Sequence, residues 1–286
     1  MIPTAVISGR GEERIRRGHP WIYRADVVDV ASEPGGVVEV LGPRQRFLGR
    51  AMYNEQSQIS LRMLTRGEED VDEAFWRARI DAALAFRASL AIDATAYRLI
   101  HGEADLLPSL IVDRYADVLV VQALSQGMDR VLPTLVPMLV EATGATGILA
   151  RNDPRVRLLE GLEQRVDVVH GAVPERIAVR DGPVEYDVDP RHGQKTGLFL
   201  DQRENRAAAA QYAHGRLLDC FSYTGGFALR LAAACERVEA IDISADAVAR
   251  IGENAARNGL SNVEARETNV FDELRRLEKA GERYDT

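Results

Sequence analysis

The run Leu217-Leu218-Asp219-Cys220-Phe221-Ser222-Tyr223-Thr224-Gly225-Gly226-Phe227 passes from an apolar stretch into a Gly-Gly pair and on into helix-compatible residues. Glycines at such a strand-to-helix junction permit a tight bend and close approach of the backbone to a ligand. The pair does not make the three-glycine dinucleotide fingerprint, and no Gly-Lys-Ser/Thr follows to cradle phosphates. Asp219 repels a pyrophosphate and suits an ammonium or another cationic group. The next strand ends at Asp242, whose carboxylate can accept hydrogen bonds from ribose hydroxyls. A tight turn with an acidic helix cap at Asp242 or Ser244 accounts for the same residues. Asn269 follows a third strand, where an amide can read the edge of an adenine ring or simply hold a turn. Together these residues favour an adenosine-containing ligand without phosphates over NAD.

A second group, His192-Gly193-Gln194-Lys195-Thr196-Gly197-Leu198-Phe199-Leu200-Asp201-Gln202-Arg203-Glu204-Asn205-Arg206, packs two glycines and several charges against a helix start. Asp201 can cap that helix while Gln202 and Arg203 present polar heads in its first turn. A plain hinge with a capped helix fits equally. Near the N-terminus, Arg10, Arg14, Arg16, Arg17 and Arg24 interleave with His19, Trp21 and Tyr23. Basic and aromatic side chains on a small β-domain suit RNA phosphates and stacked bases, although Glu12 and Glu13 intervene and Trp21 also suits a core. The histidines and cysteines lack metal-ligand spacing, so no metal is expected. Ser222 lacks the setting of a nucleophile elbow, and Asp187 and Asp189 read as solvated carboxylates.

The elements that must position these groups fall into three segments. Strand-like runs at Ala5–Ser8, Gly36–Leu41, Phe47–Tyr53 and Ile59–Leu64, punctuated by turn residues, predict a small β-barrel or sandwich over 1–68. A helix over Asp72–Ile92 opens a second segment, 72–188. Strands are expected there near Tyr97–His101, Leu110–Asp113, Val118–Ala123, Thr146–Ala150, Val166–His170 and Val184–Val188, with a helix at Asp129–Thr143. That mixture is α+β. From 190 to 286 the order is a helix at Asp201–His214, then strand Arg216–Phe221, helix Gly226–Ala234, strand Val238–Ile241, helix Ser244–Asn258, strand Val263–Ala265 and helix Asp272–Ala280. This is the start of a doubly wound parallel sheet.

Composition supports a multidomain α/β protein. The 286 residues are 46% hydrophobic and 28% charged, and 36 basic against 44 acidic residues give a net charge of −8, which excludes a uniformly basic surface but not a local patch. No apolar run is long enough to span a membrane, and two cysteines make no disulfide framework, so a cytoplasmic setting is expected.

Asp219–Phe227 together with Gly193–Arg206 resembles the class I S-adenosylmethionine-dependent large-subunit (23S) ribosomal RNA methyltransferases that make 5-methylcytosine. His19-Pro20-Trp21-Ile22-Tyr23 is similar to that family's N-terminal PUA domain, the type shared with pseudouridine synthases and archaeosine transglycosylases. Leu107-Pro108-Ser109-Leu110-Ile111-Val112-Asp113-Arg114-Tyr115 resembles its small central domain. The resemblance implies a PUA-like β-barrel, a central α+β domain and an incomplete Rossmann-like methyltransferase domain. It implies S-adenosylmethionine as cofactor, with Gln202, Arg203, Asp219, Tyr223, Thr224, Gly225, Gly226, Phe227, Asp242 and Asn269 around it, and 23S ribosomal RNA as partner. No membrane partner is implied, and a homodimer is among the assemblies open to it. In the family a cysteine thiolate attacks C6 of the target cytosine so that C5 takes the methyl group and then loses its proton. That cysteine and an Asp-Pro-Pro segment follow later strands, so both are expected to lie beyond Thr286, leaving the 286 residues inactive alone. Neither Cys220 nor Cys235 suits the nucleophile. A guanine nitrogen as target, or a noncatalytic RNA-binding module, is the alternative.

Overall fold

The computed structural model describes Ile2–Gly193 and Lys195–Thr286, in two compact units. One comprises the chain up to Ile92 and Arg98–Val173; the other, Asp93–Tyr97 and Pro174–Thr286.

The first unit opens with a six-stranded mixed sheet: β1 (Thr4–Ile7), β2 (Trp21–Tyr23), β3 (Val27–Val30), β4 (Val37–Gly42), β5 (Arg46–Tyr53) and β6 (Ile59–Thr65), ordered β2-β6-β5-β4-β1-β3. Alternation along β4 turns Val38 and Val40 into a core with Ala5, Ile7, Ile22 and Leu61. Between β1 and β2 lies helix α1 (Gly9–Arg16), whose N-cap Ser8 accepts a hydrogen bond from the Gly11 amide. The sequence pattern shows neither α1 nor the short strands β2 and β3. Charge dominates the first, and three or four residues are too few to display a period.

Helix α2 (Glu73–Ser89) follows, with Asp72 accepting from the Phe75 amide as its cap. A five-stranded sheet comprises β7 (Ala96–His101), β8 (Leu110–Tyr115), β9 (Val118–Ala123), β10 (Gly147–Asn152) and β11 (Arg165–Gly171), ordered β11-β10-β9-β8-β7. Helix α3 (Gln126–Thr143) starts three residues before the sequence expectation because Ser125 caps it. Gly127 sits so close to Met52 that a Cβ would lie 2.7 Å from its side chain. A short helix α4 (Val156–Leu159) links β10 to β11.

The second unit holds a hairpin of β12 (Ile177–Asp181) and β13 (Val184–Val188), then helix α5 (Arg203–Ala209), which is shorter than expected. A parallel sheet follows, with β14 (Arg216–Cys220), β15 (Arg237–Asp242) and β16 (Val263–Glu267) in that order. Helices α6 (Gly226–Leu231), α7 (Ala245–Arg257) and α8 (Val270–Ala280) connect and follow these strands. Leu217, Val238, Ala240, Leu231 and Ile251 form the core on one face of the sheet, while on the other face of the central strand buried Glu239 meets Arg216 and Arg266 and accepts from the Tyr284 hydroxyl at 3.1 Å. β14 is an edge of this sheet, and the Leu218 amide on its outer side donates to the Thr286 carbonyl at 3.1 Å.

Candidate functional site

The strand-to-helix junction after β14 is a tightly tied turn. Phe221, Tyr223 and Gly225 all adopt left-handed backbone with φ of 60°, 52° and 85°. For the two aromatic residues this conformation is unfavourable, and it persists because the surroundings hold it. The Ser222 amide donates to the Ile241 carbonyl at 3.1 Å, and the Tyr223 amide to Asp242 Oδ2 at 2.9 Å. The buried Asn254 amide holds the Thr224 carbonyl at 3.4 Å. At Gly225 a Cβ would meet Leu229 Cγ at 3.0 Å, so the glycine serves both the backbone angle and the packing of α6.

This turn forms one wall of a cavity of about 330 Å³. Asp219, Tyr223, Thr224, Gly226 and Phe227 line it, as do Gln202 and Phe199 from the segment before β14 and Tyr186 from β13. Asp219 accepts from the Ser222 hydroxyl and, at 3.0 Å, from the Ala228 amide. Among the described residues no cationic side chain pairs with it. Desolvation pushes its carboxyl above the ordinary range, against the pull of those two donors and with help from nearby Asp242. A carboxylate placed this way gains most from a cation brought into the cavity.

Across from it, Phe199 meets Tyr223 edge-on at 5.4 Å, while Lys195 lies over the Phe199 ring at 4.5 Å and pairs with Asp201 at 2.8 Å. The Asp201 carboxyl is held below its ordinary value chiefly by that lysine. The Tyr223 hydroxyl donates to the Gly197 carbonyl at 3.4 Å, tying the segment before α5 to the turn. Gln194 lies outside the described residues. Buried Tyr186 donates to the Gly226 carbonyl at 3.3 Å, and burial drives its phenol pKa far upward, so it stays a neutral donor.

The remaining sequence-predicted residues stand differently. Arg203 is absent from the cavity lining and pairs with its neighbour Glu204 at 3.0 Å; Arg206, one turn on, reaches the cavity instead. Arg206 is buried, donating to the Phe199 carbonyl at 3.1 Å and pairing with Asp181. Asp242 and Asn269 also lie outside the lining. Asp242 accepts from the Tyr223 and Ser244 amides, and Asn269 caps α8 by accepting from the Phe271 and Asp272 amides. Each still occupies the end of a parallel strand or the residues just after it, the place where open α/β sheets bind ligands. Exposed apolar side chains gather at those same ends. Phe221 and Phe271, 59% and 63% exposed, meet edge-on at 5.5 Å, and Ile243 is 68% exposed. Sequence reasoning missed these, although their positions directly after predicted strands are a usable signal.

Burial and the Asp219 charge raise the Cys220 thiol, and burial raises Cys235, so neither is an activated nucleophile. Among the described residues no cluster of ligands could hold a metal.

In the first unit, Arg14 stacks on Tyr23 at 4.6 Å and faces Asp26, whereas Arg10, Arg16 and Arg17 are more exposed and paired with Asp26, Glu12 and Glu13. His19 lies between Trp21 and Tyr23, with ring centroids 5.7 and 6.1 Å away. Trp21 is half-buried and donates to Glu103 at 2.8 Å, while Ile22 is the core residue of β2. No described helix is long and apolar enough to cross a membrane.

A family model described as a PUA-like domain matches residues 6–66. The ribosomal RNA large subunit methyltransferase I of Tolumonas auensis is 36% identical, with the match covering 100% of this chain and 75% of the relative. The protein of that name from Shewanella denitrificans is 38% identical over 96% of this chain and 72% of its own length. Among solved structures, a methyltransferase candidate complexed with SAH superposes with a TM-score of 0.86 at 19% identity, covering 99% of this chain and 74% of that one. A candidate SAM-dependent methyltransferase from Streptococcus mutans does so at 0.84 and 20% identity, over 99% and 75%. The fold is thus shared with methyltransferases, and at this identity and coverage the chain belongs to the ribosomal RNA large subunit methyltransferase I family and is, by family, an enzyme.

Proposed function

We propose that the chain binds S-adenosylmethionine in the cavity beside β14 and takes part in methylating cytosine C5 in 23S ribosomal RNA. The observation that carries the cofactor reading is Asp219, a carboxylate on the cavity wall with hydrogen-bond donors but, among the described residues, no cationic side chain paired with it. The aminoacyl end of the cofactor brings an ammonium group that such a carboxylate would hold. Aromatic walls from Phe199, Phe221 and Phe227 suit its thioether and ribose surfaces. When bound, the cofactor supplies an electrophilic methyl group on a sulfonium. Gln202, Tyr223, Thr224, Gly225 and Gly226 would shape the pocket, with Arg203 in the adjoining first turn of α5. Asp242 and Asn269 keep free hydrogen-bonding capacity toward the ribose and adenine.

The RNA would lie against the first unit, where α1 and β2 bring arginines beside His19, Trp21 and Tyr23. Residues 1–68 would then hold RNA, 72–188 would form a central domain and 190–286 would hold the cofactor. No nucleophile is assigned among the described residues.

Two measurements test the reading. Calorimetric titration of the chain with S-adenosylmethionine should show binding that Asp219→Asn weakens; RNA binding without cofactor binding would instead make this a noncatalytic module. For the target atom, large-subunit RNA carrying tritium at cytosine C5 is the probe, because methylation there must displace the C5 hydrogen. Methyl transfer without tritium release would overturn C5 and favour a guanine nitrogen.

A further inference from the structure

A cleft of about 540 Å³ opens in the first unit, lined by Gly18, Pro20 and the end of β6 on one side and by α2 and the turn Gly102–Asp105 on the other. Sites for small ligands span roughly 300–1,000 Å³. Two arginines line the cleft, and among the described residues neither pairs with a carboxylate. Arg62 and Arg87, on the same β6 and α2, are by contrast each tied to a buried carboxylate, Glu160 and Asp105. Arg66 is exposed. Half-buried Arg79 donates to the Leu64 and Leu106 carbonyls, both at 2.8 Å, and so joins the two walls. Burial lowers its pKa, against a weaker opposite pull from Glu69. A guanidinium desolvated without a paired carboxylate gains when an anion arrives.

Leu106 is 61% exposed in left-handed backbone with φ of 58°, a conformation leucine rarely takes. Its amide donates to the Glu103 carbonyl at 3.2 Å and its carbonyl accepts from Arg79, which together hold it there. Strain imposed in this way keeps an apolar side chain in the wall of a cationic cleft. Glu103, also in the lining, accepts from the Trp21 indole at 2.8 Å through Oε1 and pairs with no cation among the described residues. Cations suit a phosphate, the apolar wall a base, and the carboxylate an amino group.

We propose that this cleft holds one unpaired nucleotide of the RNA, with its phosphate on Arg66 and Arg79, its base against Leu106 and Pro20, and a base amino group on Glu103. The proposal rests on the reading that RNA lies against the first unit, and adds where a base leaves the strand and which bases are accepted. A carboxylate accepts from the amino group of cytosine or adenine, whereas uracil offers one N–H between two carbonyl oxygens that repel it.

Of the two tryptophans, Trp76 is buried and Trp21 holds Glu103, so intrinsic fluorescence reports on the cleft. Titration of the 286-residue chain should show cytidine and adenosine trinucleotides binding about tenfold more tightly than the uridine one. Arg66→Ala should weaken all three about tenfold and make the slope of log affinity against log salt shallower by about 0.7, the share of one phosphate on a single strand. Glu103→Gln, which keeps an acceptor for Trp21, should erase the base preference and retain the uridine affinity. A cytidine trinucleotide bound equally by the parent and Arg66→Ala, or an unchanged preference in Glu103→Gln, would overturn the cleft while leaving RNA on the first unit. The same holds if filter binding retains ribosomal RNA but no trinucleotide binds. Cytidine monophosphate or inorganic phosphate bound as tightly as the trinucleotide would mark a small-metabolite site and sink RNA as its occupant. A parent chain that retains no ribosomal RNA would remove both this proposal and the reading beneath it.

Discussion

At the residue scale, Asp219 sits where function and stability pull apart. Its carboxyl is raised above the ordinary 3.8 mainly by desolvation, so the folded protein resists its ionisation. The sign follows from linkage. Below the unfolded value the group is neutral in both states and costs nothing; the cost grows as pH rises from there and is full above the folded value. Asp219→Asn keeps an oxygen for the Ser222 hydroxyl and the Ala228 amide. The variant should therefore melt a few degrees higher than the parent at pH 7, with the difference fading as pH falls through the carboxylate range. Its affinity for S-adenosylmethionine should drop by roughly tenfold, the scale of a lost charged hydrogen bond. Thermal melts across pH together with titration calorimetry would check both halves.

At the element scale, α1 and α8 show how helix charges divide between fold and function. On α1, Arg14 is a structural arginine, stacked on Tyr23 and facing buried Asp26. Arg17 holds an ion pair with Glu13 that is exposed on both sides and worth little in water, whereas the exposed guanidinium groups of Arg10 and Arg16 pair with buried Asp26 and Glu12, which keep Arg14 and Arg46 as second partners when a phosphate draws the first away. The variant R10A/R16A/R17A should keep its fold and bind ribosomal RNA more weakly, with the slope of log affinity against log salt shallower by about 2 if all three touch phosphates. Filter binding at several salt concentrations would measure it, and an unchanged slope would move the RNA surface elsewhere.

On α8, Glu273 is 5% exposed and binds Arg276 at 2.8 Å and Arg266 at 2.6 Å, joining the helix to β16. These bonds, Arg276 first, lower its carboxyl to about 2. The stabilisation is present above the ordinary 4.5 and lost as pH falls through about 2. Because Arg276 is 59% exposed and screened by solvent, Glu273→Gln should cost about 1 kcal/mol at pH 7 and almost nothing near pH 2. Denaturant titration at the two pH values would show this.

At the scale of the whole molecule, the two units differ in how their sheets end. β9 lies between β8 and β10, with Val120 and Val121 fully buried. β14 is an edge, and its Leu218 amide is held by a single bond to the Thr286 carbonyl. Amide exchange should therefore be slowest at Val120 and Val121 and markedly faster at Leu218, since edge and terminal bonds open locally without global unfolding. Equal protection at both places, measured on a preparation of known oligomeric state, would show that the β14 edge is better covered than its hydrogen bonds indicate.

Local chemistry made the parallel sheet legible from sequence. Apolar runs at 217–221 and 238–241, the cap at Ser244 and the Gly225-Gly226 turn each act over a few residues, and the structure keeps them nearly in place. The strand-end positions of Asp219, Asp242 and Asn269 follow from the same order of elements. What the sequence could not settle is which side chain faces which. Arg206 rather than Arg203 reaches the cavity because α5 begins after a short turn at Leu200–Gln202, which rotates its face. Tyr186 arrives from a hairpin thirty residues or more upstream of the turn it touches, and α1 is a helix only because Ser8 caps it and Ile15 finds a core to bury in. Such pairings depend on long-range packing, whose partners carry no mark in the local pattern.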